Sequence, residues 1–416
     1  MEATPVDTGP TLRQAWNALG TAMALVLESA ELVQVELPFL APVGTSVGTH
    51  RSRPLVLVHL RCRAPATGES VEGWGECAAL GDTSYGTEDV ATAWETLGGT
   101  LLPALGSVSR SLGGMLPSLG SLDRLASTAP DRPLSFAALE AAVADAHLRA
   151  SHRSLADLFG VAGAEVAPGA VVGTSGTPGE VVAAVAERAA EGFARVKVKI
   201  TRGTELATVS ALTEWAGSAP GHVPRFQVDA NGGFGPGDVD RLVALDGFGL
   251  LCIEQPFARD DWASHRALCG RITTPVCLDE SLDSPARVDE AVSSGACSMV
   301  CVKPARLGGL GRAIDVVSWC ASHDVPWWVG GMFESGIGRR VTTVLGALPG
   351  AALPGDLAPP DAYLASDLVG PESRRLHPSS GRLTVAVSDV PGSSPVPGAA
   401  ELAEHRVRRA EVRVDG

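Results

Sequence analysis

Five short apolar runs in the middle of the chain each end in a charged side chain. They are Arg195-Val-Lys-Val-Lys-Ile200, Arg225-Phe-Gln-Val-Asp-Ala230, Leu250-Leu-Cys-Ile-Glu254, Pro275-Val-Cys-Leu-Asp-Glu280 and Ser298-Met-Val-Cys-Val-Lys303. The charges at their ends are Lys199, Asp229, Glu254, Asp279 and Lys303, and the last four are spaced by 25, 25 and 24 residues. Three crowded carboxylates repel one another unless a cation lies between them. Hard oxygen ligands with an open side suit Mg²⁺, with Mn²⁺ as the alternative, and leave positions for water or substrate. Two lysines flanking such a cation suit removal of a proton next to a carboxylate, with the metal stabilising an enediolate. Taken singly, each charge could instead cap the following helix or sit on a solvated rim.

A lysine at its ordinary pKa of ~10.4 is a poor base at neutral pH. Lys197 lies two residues from Lys199 and so on the same strand face, where like charge and a metal would both lower the pKa. Lys197 could equally be a structural partner for a carboxylate.

A step of about 25 residues fits one strand, one helix and two short loops. Parallel strands of a barrel end on one face, so the five charges are expected to converge there. Gly169–Thr174 supplies a first barrel strand, Glu180 to Glu191 an amphipathic helix ended by Gly192, Pro326–Met332 a seventh strand and Leu353–Leu357 a weak eighth. Ahead of this, Glu31–Leu37, Leu55–Arg61 and Gly73–Glu76 read as a three-stranded meander. Helices follow at Asp89–Leu102 and Ser135–Ala150, which makes an α+β domain. The fold expected is α/β: a modified TIM barrel, (β/α)7β, with an N-terminal α+β capping domain. The expected divisions are an extension at 1–27 with a helix within Thr11–Leu27, a cap at 28–160, a barrel at 165–355 and a segment at 356–416 that returns to the cap. Pro42–His50, rich in small residues, reads as a flexible lid loop.

With 416 residues the chain exceeds one ordinary domain, and its formal charge of −14 argues against nucleic acid or an anionic membrane as partner. No run reaches the ~20 apolar residues of a membrane span, and the start lacks the basic region of a signal peptide. Eight cysteines without a CxxC pair suggest buried reduced thiols and a cytoplasmic location.

The motifs Lys197-Val-Lys199, Asp229-Ala-Asn231, Glu254-Gln-Pro256, Asp279-Glu-Ser281 and Lys303-Pro304 resemble the enolase superfamily, muconate lactonizing enzyme subgroup. A mandelate racemase type would carry Lys-x-His at 197–199 and a His on the seventh strand. Here that strand leads into Gly330-Gly-Met-Phe-Glu-Ser-Gly-Ile-Gly338 without one. Dipeptide epimerases carry Asp-x-Asp near the eighth strand, whereas this chain has Pro354-Gly-Asp-Leu357. Thr45–Arg51, Gly330–Arg339 and Leu353–Asp356 resemble the o-succinylbenzoate synthase/N-succinylamino acid racemase family. That resemblance implies Asp229, Glu254 and Asp279 as Mg²⁺ ligands, Lys199 and Lys303 as the acid/base pair, and supporting roles for Lys197 and Arg306. It implies a small-molecule carboxylate substrate met by Asn231, Tyr85, Gly331, Met332, Glu334 and Ser335, and a homo-oligomer. Tyr85 and Arg306 also have plain readings, as packing and as a surface charge. The activities implied are dehydration to o-succinylbenzoate in menaquinone synthesis, racemisation of N-acylamino acids, or both. A cycloisomerase or epimerase of the same subgroup and a non-catalytic metal-binding barrel are the alternatives. Two departures from the family pattern are Val171, where members often have Ser, and the N-terminal arm.

Overall fold

The structure, a computed structural model, describes residues 9–45, 48–83, 86–173 and 176–414. Three long strands come first: β1 (Val26–Thr45), β2 (Gly48–Arg63) and β3 (Ser70–Cys77). They form an antiparallel meander. Both faces of β2 are apolar because both are covered. Val56, Val58 and Leu60 join the main core, while Leu55 and Leu57 pack with Val33, Val35, Ile337, Leu364 and Leu368. Helix Pro133–Ala150 lies so close on β3 that a Cβ at Gly73 or Gly75 would fall 2.2 or 2.0 Å from the carbonyl oxygen of Ala142 or Ala138. Those two glycines are therefore required by the close approach of helix and sheet.

Seven parallel strands follow and pair in chain order. After the two-residue β4 (Glu165–Val166) they are β5 (Gly169–Val172), β6 (Arg195–Lys199), β7 (Arg225–Asp229), β8 (Ile253–Glu254), β9 (Val276–Leu278), β10 (Met299–Val302) and β11 (Trp327–Val329). Helices such as Pro178–Ala190, Glu205–Ser218 and Leu310–Ser322 connect them. The first of these starts with a capping box, in which Thr177 and Glu180 satisfy each other's backbone N–H. β12 (Arg374–His377) and β13 (Arg382–Ala386) join β4 in a small antiparallel sheet, and β14 (Arg406–Val412) adds to the free edge of β1. The molecule is thus an α/β modified TIM barrel behind an N-terminal antiparallel cap.

The structure departs from the sequence expectations in three places. Leu353–Leu357 is not a strand. The gap between β11 and β5 is bridged by single backbone bonds instead: Ala352 N–H to Trp327 O at 2.8 Å, Asp356 N–H to Val329 O at 2.8 Å, and Gly169 N–H to Gly355 O at 2.6 Å. Pro354 has no N–H to give a ladder, so closure is piecemeal. The N-terminal helix is Gly9–Ala18, and Val26 and Leu27 already belong to β1. Trp16 on that helix is buried and stacks on Phe159 at 6.1 Å, so this part of the arm is packed into the molecule. Finally, Pro42–His50 is no open loop: Val43 pairs with His50, Gly44 with Thr49 and Thr45 with Gly48, forming the tip of a hairpin whose residues 46–47 lie outside the described ones.

Candidate active site

The barrel interior beneath the site is filled by soft apolar groups. Cys252, Cys277, Met299, Cys301 and Trp328 pack together there. All eight cysteines are unpaired thiols, and burial raises the pKa of most of them, so they act as small hydrophobes.

Above this floor the strand ends bring the expected charges together. β6, β7 and β8 align so that Lys199 pairs with Asp229 and Asp229 with Glu254. Lys199 Nζ lies 3.7 Å from Asp229 Oδ2 and donates to Asn231 Oδ1. On the other side, Lys303 Nζ donates to Asp279 Oδ2 at 2.7 Å, and Arg306 Nη1 donates to Asp279 Oδ1. Asp229, Glu254, Asp279 and Lys303 are buried, and the Lys199 side chain is 21 % exposed.

Lys197 points the same way as Lys199 but is fully engaged. Its Nζ lies 2.7 Å from Asp356 Oδ2, 3.1 Å from Glu254 Oε1 and 3.7 Å from Asp229 Oδ2, and 5.2 Å above the Trp328 ring. Two further residues complete a closed ring. Arg195 donates to Asp356 and to Gln227 Oε1, and Gln227 Nε2 donates to Glu254 Oε2. Arg195 and Gln227 lie on the same strand faces as Lys197 and Asp229, a period-two signal that the sequence carried without a visible reason. Asp356, from the closing segment, also went unassigned.

The electrostatics follow from this crowding. Burial, then the neighbouring Asp229, pushes the Glu254 carboxyl well above its ordinary value, against the pull of Lys197. Asp279 behaves oppositely: burial works to raise it, but Arg306 and Lys303 together hold it below the usual carboxylate range. Burial works to lower the Lys303 ammonium, and the Asp279 carboxylate outweighs it and holds Lys303 above its ordinary value. Asp229 Oδ2 is buried with no hydrogen-bond partner among the described residues. An unsatisfied buried carboxylate oxygen beside two others is costly without a cation. Glu254, Asp279 and Cys301 place ligand atoms within 4.8 Å of one another, a group that holds two of the three expected ligands and not Asp229. Glu254 and Asp279, with the unsatisfied Asp229 carboxylate nearby, make an acidic group that a divalent cation would suit.

Gln255 explains the residue after Glu254. It sits at φ +36°, and its side chain accepts from Asp279 N–H at 3.0 Å and Ser281 N–H at 3.2 Å while donating to Ser281 Oγ at 2.7 Å and Phe257 O at 3.0 Å. A strained backbone is held here by four bonds that orient the Asp279 loop. Asn231, at φ +43°, donates its N–H to Asp229 Oδ1 at 2.9 Å and its Nδ2 to Glu280 Oε1 at 3.0 Å. Burial raises the Glu280 pKa, with Asp279 adding repulsion.

A cavity of about 380 Å³ opens above these groups. Lys199, Asn231, Glu280, Gly331 and Met332 line it from the barrel, and Phe39, Val43, His50 and Leu80 from the cap. Gly330, just beside it, is needed because a Cβ would meet Cys301 Sγ at 2.5 Å and Lys303 Cε at 2.6 Å. Glu334 and Ser335 are placed elsewhere. Ser335 caps helix Gly336–Gly346 and donates its hydroxyl to Glu76 on β3, and Glu334 pairs with Arg339 at 2.7 Å. Both belong to the joint between cap and barrel and not to the cavity wall. Tyr85 lies outside the described residues, and Val171 is exposed in register with Lys197.

Sequence reasoning passed over Arg53, which is buried and spends all five N–H donors on carbonyl oxygens. Nε donates to Phe333 at 3.1 Å, Nη1 to Pro54 at 2.8 Å and Ala79 at 2.6 Å, and Nη2 to Ala78 at 2.7 Å and Met332 at 3.2 Å. It staples β2 to the loop after β11, and nothing in the Arg-Ser-Arg-Pro run announces this.

Residues 180–394 match the family model described as enolase C-terminal domain-like. The chain belongs to the enolase superfamily. It is 37 % identical over 371 residues to an N-succinylamino acid racemase from an Amycolatopsis species, covering 89 % of this chain and 95 % of the relative. It is 33 % identical over 350 residues to an o-succinylbenzoate synthase from Geobacillus stearothermophilus, covering 84 % and 89 %. An enolase superfamily member from Listeria innocua has the same fold, with a TM-score of 0.84 at 27 % identity over 94 % of this chain and 100 % of that one. A muconate lactonizing enzyme from Pseudomonas fluorescens, 22 % identical, shares the fold with a TM-score of 0.78 over 92 % and 99 %. Within the superfamily the chain sits with the o-succinylbenzoate synthase and N-succinylamino acid racemase family, and it is an enzyme. Among the described residues no helix is long and apolar enough to cross a membrane.

Proposed function

We propose that this enzyme removes and returns the proton α to a carboxylate, acting as an N-succinylamino acid racemase, with dehydration to o-succinylbenzoate as a second reaction of the same residues. One observation carries the reading: two lysines on separate strands, each beside its own carboxylate, border one acidic cluster, and Lys199 also lines the cavity above it. Binding alone would need neither base. The second reaction is favoured by the 33 % identity to the Geobacillus synthase.

Asp229, Glu254 and Asp279 would hold Mg²⁺, or Mn²⁺, which when bound stabilises the negative charge that develops on the substrate carboxylate. Lys199 and Lys303 would each serve one face of the α-carbon, one in its neutral form taking the proton and the other giving one back. In the dehydration Lys199 would take the proton and hand it to the departing hydroxyl, while Lys303 stays cationic beside the developing charge. Lys197, locked between Asp356 and Glu254, would fix the geometry of Glu254 and would not exchange protons with substrate. Arg306 shares Asp279 with Lys303 and would set how firmly that carboxylate holds the lysine.

The test is to supply Mg²⁺ with N-succinyl-L-amino acids or with the cyclohexadiene precursor. Optical rotation follows the first and formation of the aromatic product the second. Loss of optical rotation supports racemisation. Aromatic product without racemisation would leave the synthase reading alone. Neither activity in a metal-loaded protein contradicts the proposal.

A further inference from the structure

Arg202 also lines the cavity, three residues beyond Lys199 in the loop after β6. The cavity has four basic side chains among its described lining residues: His50, Arg53, Lys199 and Arg202. Arg53 is spent on five carbonyls. His50 is paired with Asp82 at 3.1 Å, and Lys199 stands at the acidic cluster. Arg202 is held differently. Its Nε donates to Asp238 Oδ1 at 2.7 Å, and its Nη1 and Nη2 make no bond to the described residues. Asp238 is itself fixed, since its other oxygen accepts from Gly235 N–H at 3.0 Å. The guanidinium is thus anchored through one edge and offers two further donors, with its side chain 67 % exposed. A planar fork of this kind matches a carboxylate, which it can bind with two parallel bonds. On the cap side of the same cavity, Phe39, Val43 and Leu80 offer apolar contacts that suit a hydrocarbon side chain.

We propose that Arg202 recognises a second carboxylate of the substrate, remote from the one at the acidic cluster, and so selects dianionic acyl groups such as N-succinyl over monoanionic ones such as N-acetyl. This rests on the racemase reading and assigns a residue to the N-succinyl preference named in it. Asp238 is the positioning residue for Arg202. No bond is made or broken by either residue, so their effect falls on substrate capture.

The experiment measures kcat and KM for N-succinyl and N-acetyl derivatives of one amino acid with the Mg²⁺-loaded enzyme, unsubstituted and as Arg202→Met and Arg202→Lys. The ratio of kcat/KM between the two acyl groups should fall roughly tenfold in Arg202→Met, the worth of one charge-assisted pair at a partly solvated site. The loss should appear in KM for the N-succinyl substrate, and Arg202→Lys should restore much of the ratio. An unchanged ratio, or a parallel fall for both substrates, overturns the role of Arg202 while leaving the racemase reading intact. An unsubstituted enzyme inert towards both substrates overturns that reading and this proposal with it.

Discussion

The joint between cap and barrel and the mouth of the barrel both bury many charges, yet they pair them differently. At the joint, most charge is paired, although Glu334 Oε2 and Arg339 Nε are buried without hydrogen bonds among the described residues. Arg53 satisfies five carbonyls, Glu76 accepts from Ser335 N–H at 3.2 Å and Gly338 N–H at 3.3 Å, and Arg339 meets Glu334 and Tyr363. At the mouth, charge is left over. Asp229 Oδ2 and Glu280 Oε2 lack hydrogen bonds among the described residues, and Glu254 is pushed up by burial and by Asp229. Saturated polar networks hold a structure in one arrangement, whereas under-satisfied ones store a cost that a cation and a substrate can relieve. The joint holds the cavity's two walls together, and the mouth carries the charges on which the proposed chemistry depends.

The largest expected effect lies at the joint. Arg53→Met would strand up to five buried carbonyls and should lower stability by about 3–5 kcal/mol, read from denaturant unfolding. A loss under ~1 kcal/mol would mean that water replaces the guanidinium and that the joint is not held by it.

Glu254→Gln should do the reverse. It removes one of three mutually repelling carboxylates, so the metal-free protein should keep its Tm, while calorimetric Mg²⁺ affinity falls roughly tenfold or more. A large drop in Tm without metal would show that the mouth, too, is built for stability.

A smaller effect is the response of the joint to pH. Burial pushes the Glu76 carboxyl up to about 8, partly opposed by Ser335, with Glu334 adding repulsion. In the unfolded chain its pKa is near 4.5. Between those values the folded state binds the proton and the unfolded state does not, so stability falls as pH rises from 4.5 towards 8 and levels off above it. Glu140 and Glu372, each raised to about 7 by burial, act in the same direction over a shorter span. Thermal melts from pH 5 to 9 should show Tm declining, with a shallower slope in Glu76→Gln. An unaltered slope would assign the pH dependence elsewhere.

The regions also differ in how much of them could be read from sequence. The mouth was legible because each catalytic candidate ends a buried strand, and a charge interrupting an apolar run stands out by type and spacing. The barrel was legible for the same reason. The joint was not. Arg53 sits in a polar-looking stretch, and its partners at 78, 79, 332 and 333 are distant in sequence and are backbone atoms, which leave no residue signature. The family resemblance implied Glu334 and Ser335 as substrate contacts, but the turn at Phe333, φ +55°, carries them to the joint. Barrel closure was half legible. Leu353–Leu357 marked the right place, yet the contact is a few backbone bonds and not a strand. Asp356 shows what that place is for, since it closes the ring that immobilises Lys197.

The most direct test of the two-lysine account is α-proton exchange in D₂O with Mg²⁺, followed by NMR on an N-succinyl-L-amino acid and on its D enantiomer. The unsubstituted enzyme should exchange the proton of both and racemise both. Lys199→Ala and Lys303→Ala should each abolish racemisation, with rates down by roughly 10²–10⁴. If racemisation survives either substitution, or if the metal-loaded enzyme exchanges neither enantiomer, Lys199 and Lys303 are not the acid/base pair of this site.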